Sequence, residues 1–161
     1  SPWTRDDAHV WRTEPGFAVW QLWIGYDTAL TMARWPNIGN RSVWDRENTW
    51  ARGTIDDDDT AYSNGQLVDK PEGGAGGVSA VNATGAIAIL NVGSFRTWSR
   101  RVTSQNGSLL TYAPVPDWKT KHHYYYLEGK REFLDSPGEW FFENGTLYLC
   151  RLQTPIRTRW T

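Results

Sequence analysis

The chain has 161 residues and a formal net charge of −1. That balance excludes a bulk electrostatic pull toward nucleic acid or an anionic membrane. Its longest apolar run, around Ala86–Leu90, is far too short to span a bilayer. The length suits one domain with a core of its own. Eleven Trp, seven Tyr and five Phe make a heavy aromatic load, and fifteen Gly and eight Pro punctuate it. Aromatics and Thr favour pleated surfaces, so the composition predicts an all-β protein without long helices.

Taken in chain order, residues 1–16 are polar and Trp-spiked and predict a lead-in arm that ends in a turn at Pro15-Gly16. Phe17–Ile24 (FAVWQLWI) predicts a strand: Phe17, Val19, Gln21 and Trp23 share one face, and Ala18, Trp20, Leu22 and Ile24 the other. Gly25-Tyr26-Asp27 turns the chain, and Leu30–Arg34 is the expected second arm. Residues 38–77 form a long irregular loop region with the acidic run Asp56–Asp59 and a glycine loop at Gly73–Gly77.

Regular structure resumes with strands expected over Gly85–Val92, Phe95–Thr103 and Leu109–Tyr112, the last pair joined at Asn106-Gly107. Tyr124–Leu127 predicts another strand, and Glu128–Leu134 one or two helical turns that stop at Ser136-Pro137-Gly138. The clearest hairpin joins Trp140–Glu143 to Thr146–Cys150 through Asn144-Gly145. Residues 151–161 are an exit strand. The whole predicts a single all-β domain, an antiparallel β-sandwich.

Three segments carry a resemblance. These are WQLWIGYDTALTMARWPN (Trp20–Asn37), GAIAILNVGSFRTWSRRV (Gly85–Val102) and YYLEGKREFLDSPGEWFFENGTLYL (Tyr125–Leu149). Together, and above all through the L-D-x-P-G-E-W…L-Y-L pattern, the chain resembles the inserted β-sandwich-like domain of secreted right-handed parallel β-helix proteins. That group includes polysaccharide-active enzymes. The resemblance implies an extracellular, carbohydrate-related setting and a domain adjoining a parallel β-helix. It does not place catalytic residues on this chain, since in such enzymes those lie on the helix.

Cys150 is the only cysteine, so no internal disulfide forms, which by itself leans toward a reducing compartment. Four N-x-[ST] patterns lean the other way, at Asn40, Asn82, Asn106 and Asn144, all in turn-like contexts where N-glycans fit. Ser1-Pro2-Trp3 does not look like a native start, which predicts a processed or excised chain.

Exposed aromatic faces stack on the C–H faces of sugar rings, and Trp3, Trp11, Trp44, Trp50 and Trp118 fall in polar or loop-like segments, which makes them the carbohydrate-binding candidates. Trp20, Trp23, Trp35, Trp98 and Trp140 fall in strands or signature motifs and are assigned to the core. The bland alternative is that all eleven only pack. Asp56 and Asp58 could supply oxygens to Ca²⁺, although the EF-hand spacing is absent and a solvated acidic loop is the plainer reading. No other cofactor is expected.

Carboxylate pairs at Glu128/Glu132 and Asp135/Glu139 have the spacing to be considered for glycoside hydrolysis, but the second pair lies in a turn. His122 and His123 are adjacent and would point to opposite strand faces. Arg96, Arg100, Arg101, Arg151, Arg157 and Arg159 are a scatter suited to solvated faces or to an acidic polysaccharide.

The expectation is therefore a non-catalytic, secreted accessory or structural domain of a β-helix-type glycoprotein, used in assembly or glycan contact. Its partners would be a glycan or protein, including copies of itself, with neither nucleic acid nor membrane insertion. The alternatives are a fragment of a polysaccharide-active hydrolase or lyase, and a subunit of a glycosylated extracellular filament or sheath.

Overall fold

A computed structural model describes residues 2–39, 41–54, 64–71, 77–91, 96–116 and 124–151. It divides into two compact units, one made of Ser1–Gly39 with Gly129–Thr161, the other of Asn40–Glu128. The elements in order are β1 (Thr4–Arg5), β2 (Val10–Thr13), β3 (Trp23–Ile24), β4 (Thr28–Ala29), β5 (Thr31–Met32), β6 (Arg34–Trp35), α1 (Arg46–Thr49), β7 (Ala51–Thr54), β8 (Gln66–Asp69), β9 (Ile87–Asn91), β10 (Trp98–Asn106), β11 (Leu109–Tyr112), β12 (Tyr124–Glu128), β13 (Glu139–Glu143) and β14 (Thr146–Cys150). Single 3₁₀ turns lie at Val78–Ala80 and Arg131–Phe133. The protein is all-β, and among the described residues no helix is long and apolar enough to cross a membrane.

The first unit is organised by the β13–β14 hairpin. Asn144 (φ 49) and Gly145 (φ 80) both take left-handed backbone, which is what a two-residue turn matching strand twist requires. The pairing sets Trp140 opposite Leu149 and Phe142 opposite Leu147. The lead-in arm supplies β1 and β2, with β2 antiparallel to β14 (Trp11 opposite Leu149) and β1 outside it. On the other edge β5 runs parallel to β13, with Thr31 opposite Glu139. The core joins Leu22, Leu30, Trp140, Leu147 and Leu149, with Trp3, Val19, Ile24, Met32 and Phe142 packed against it. The Trp140 indole also donates to the Leu30 carbonyl at 3.2 Å, so its buried N–H is satisfied.

The strand expected over Phe17–Ile24 shortens to β3, paired with β4. With apolar residues on both faces, the segment has no single face to bury. It is tied down by Leu22 in the core and by the Gln21 side chain, which donates to the Leu30 carbonyl at 2.8 Å.

In the second unit the antiparallel strands close into a six-stranded barrel, in the order β7-β8-β11-β10-β9-β12 and back to β7. The meander β9-β10-β11 with β12 returning beside β9 is a Greek key. The interior takes alternate residues: Leu67, Ala88, Leu90, Val102, Leu110, Tyr125 and Leu127 are all buried. A six-stranded barrel has a narrow interior, and Gly53 shows it, because a Cβ there would sit 2.8 Å from Leu67 Cγ and Cδ1.

A buried polar pair joins β12 to β8. Tyr125 donates its hydroxyl to Asp69 Oδ1 at 2.6 Å, and Asp69 Oδ2 accepts the Val78 N–H at 2.8 Å. Burial, then the Asp69 charge, pushes the Tyr125 phenol far above its ordinary range, so it stays protonated and donates.

The region expected to be irregular, residues 38–77, contributes α1, β7 and β8. The sequence ARGT of β7 lacks apolar alternation because its inward positions are Ala51 and Gly53, and Asp69 disguises β8. The helical turn expected over Glu128–Leu134 is the 3₁₀ turn Arg131–Phe133. The exit strand, beyond Arg151, lies outside the described residues.

Candidate functional site

The aromatic side chains sort differently from the sequence expectation. Among the five carbohydrate-binding candidates, Trp44 is 90% exposed. Trp3 is half-buried against the Trp140 core, and Trp11 is half-buried on β2. Trp50 is half-buried edge-on to Tyr126, with ring centroids 4.7 Å apart. Trp118 lies outside the described residues. Among those assigned to the core, Trp140 is buried and Trp35 and Trp98 are half-buried. Trp20 and Trp23 are not core residues: they are 87% and 51% exposed.

These two belong to a run in the first unit. Phe17, Trp20, Trp23 and Tyr26 are all exposed, Tyr26 completely, and they recur every third residue. Between them Val19, Leu22 and Ile24 turn to the core. Three residues of chain span at most about 10 Å, which bounds the Cα spacing from each of these residues to the next. Gly25 (φ 66) makes the turn that carries Tyr26. From Pro15 to Ala29 the only charged residue is Asp27, whose Oδ1 accepts the Thr28 hydroxyl at 3.1 Å. The surface is therefore aromatic and nearly uncharged.

The same unit holds an open depression of about 530 Å³ lined by Asp6, Asp7, Val10, Arg131, Glu132 and Leu134. Arg131 pairs with Asp6, and its guanidinium lies over the Tyr148 ring at 4.1 Å. Arg12 approaches Asp6 at 3.6 Å. A smaller depression of about 170 Å³ adjoins Pro2, Thr4, Arg12, Thr13, Glu14 and Thr146.

The carboxylates proposed for catalysis are poorly placed for it. Glu139 is 4% exposed, with Oε2 accepting the Ser136 N–H at 3.2 Å and Oε1 without a partner among the described residues. Burial, aided by the Asp135 charge and opposed by nearby backbone N–H groups, pushes its carboxyl up to about 8. Asp135 is exposed and accepts from Asn37 Nδ2 at 2.8 Å. Glu139 is buried and Asp135 exposed, so the two carboxyls are not both open to a substrate. Glu128 is half-buried on β12, and Glu132 is exposed with Lys130 Nζ at 3.5 Å. Cys150 is buried, and burial first, then the Glu139 and Asp135 charges, raises its thiol, the opposite of an activated nucleophile.

The basic scatter is partly structural. Arg100 Nε donates to the Ala113 carbonyl at 3.1 Å and Arg101 Nη1 to the Gly85 carbonyl at 2.6 Å. In the barrel unit Arg46 and Arg52 approach the Tyr124 ring at 4.6 and 5.2 Å. Among the described residues no group of three His, Cys, Asp or Glu is placed to hold a metal. Asp56, Asp58, His122 and His123 lie outside them.

Three of the glycosylation signals are described, and Asn82, Asn106 and Asn144 are all exposed. Asn82 Oδ1 accepts the Thr84 N–H at 3.2 Å, and Asn144 sits in the left-handed turn position. Asn40 lies outside the described residues. Comparison of the chain with models of protein families, with curated proteins and with solved structures found no match.

Proposed function

We propose that this chain is a non-catalytic accessory module of a secreted β-helix-type protein, and that it contacts a glycan through the aromatic run Phe17, Trp20, Trp23 and Tyr26. The observation that carries the reading is the exposure of four aromatic rings at every third residue on an almost uncharged segment. Large apolar groups left in water mark contact surfaces. Rings spaced along an extended segment suit the C–H faces of a chain of neutral sugars better than a compact ligand. Exposed Asn82, Asn106 and Asn144 fit passage through a secretory route.

Affinity electrophoresis in gels containing neutral polysaccharides tests the reading. The wild-type chain is expected to be retarded by at least one of them, and Trp20→Ala to lose that retardation. Equal migration of the two proteins in every gel would contradict glycan contact. If equal migration came with self-association lost on Trp20→Ala, the aromatic run would be an assembly surface.

A further inference from the structure

The aromatic run leaves unexplained the depression built from the β1–β2 turn and the Arg131–Phe133 turn. We infer that this depression is a second, separate saccharide site, one that grips the vicinal hydroxyls of a neutral sugar through Asp6, Asp7, Glu132 and Arg131. The inference takes its ligand class from the glycan-contact reading, but its residues and geometry are its own.

The volume, about 530 Å³, lies in the range of small-ligand sites. Its rim mixes acceptors and donors. Asp7 and Glu132 are exposed carboxylates, and Arg131 presents a guanidinium. Hydroxyl groups both donate and accept, so a sugar satisfies such a mixed rim. Val10 and Leu134 supply an apolar patch for the ring.

Charge argues the same way. Three carboxylates and Arg131 line the depression, with Arg131 and Arg12 against Asp6 and Lys130 against Glu132. The balance gives little advantage to a strong anion, and the two arginines oppose a bare cation. The key groups are also held in advance. Asp6 is fixed by Arg131 and Arg12, Arg131 is stacked on Tyr148, and Asp6 and Asp7 both donate their backbone N–H to the Val10 carbonyl, at 2.9 and 3.2 Å. A ligand binding there pays little ordering entropy.

The test is a two-dimensional ¹⁵N–¹H titration of the whole chain with cellobiose and maltose, and separately with CaCl₂ and glucuronate. The expected result is saturable shifts at the amides of Asp6, Asp7, Val10 and Glu132 with a neutral disaccharide. Asp7→Asn and Glu132→Gln, at exposed positions that keep the fold, should each weaken that binding about tenfold, the scale of one hydrogen bond to a charged group. Shifts confined to residues 17–26 would overturn this site while sustaining the aromatic run. Shifts confined to the depression would do the reverse. Saturation by Ca²⁺ or glucuronate alone, or silence at the four amides with both disaccharides, would also overturn it.

Discussion

Glu139 makes the stability of the first unit fall as pH rises, and Glu139→Gln should remove that fall. The carboxyl is buried on β13, with one oxygen on the Ser136 N–H and the other unpartnered among the described residues. Its proton is held up to about 8 against an ordinary value of 4.5. Below pH 4.5 the folded and unfolded chains both carry the proton and no stability is lost. As pH rises the unfolded chain releases it first, so folding becomes steadily less favourable until the folded carboxyl also ionises near pH 8. At about 1.4 kcal/mol per pH unit, the interval amounts to about 5 kcal/mol. Glutamine cannot ionise. Urea unfolding of both proteins from pH 5 to 9 should give curves that nearly meet at pH 5 and diverge above it, with the variant the more stable at pH 9. A wild-type curve that tracks Glu139→Gln across the range would refute the buried, protonated carboxyl.

Three further outcomes follow from packing. Trp140→Ala should cost about 3–5 kcal/mol in urea unfolding, because it empties the core centre and removes one of the two side-chain donors to the Leu30 carbonyl. Trp20→Ala should change stability by less than about 0.5 kcal/mol in the same assay, since the side chain is 87% exposed. Tyr125→Phe should destabilise the barrel by about 1–3 kcal/mol, measured by thermal unfolding, because Asp69 loses its 2.6 Å donor while the ring volume is kept.

The hairpins of this fold were legible because their turns carry a local chemical demand. Asn144, Gly145 and Gly107 take left-handed backbone, and β11 falls at Leu109–Tyr112 as expected, although Asn106 still pairs with Leu109 and the turn itself is Gly107-Ser108. What escaped was set by tertiary context. Gly53 and Asp69 break the alternation of β7 and β8 because a narrow barrel wants no side chain at one position and uses a carboxylate at the other to hold Tyr125 and Val78. The parallel partnership of β5 with β13 has no signature in either segment.

The candidate sites show the same division. Composition gave a heavy aromatic load but not which rings reach the surface. Trp20 and Trp23 look like core from a β pattern, and they face solvent because the segment buries Val19, Leu22 and Ile24 instead. Trp50 looks exposed from its polar neighbours yet packs on Tyr126. The Asp6–Arg131 pair joins residues 125 positions apart, and nothing local to either predicts it.

The indole N–H resonances of Trp20 and Trp23 report directly on glycan contact by the four exposed rings. In a titration with neutral oligosaccharides of increasing length, both should shift saturably and more tightly for longer chains, while the buried Trp140 stays fixed. Unmoved Trp20 and Trp23 resonances, with any shift confined to Trp44 or absent, would contradict glycan contact through the aromatic run.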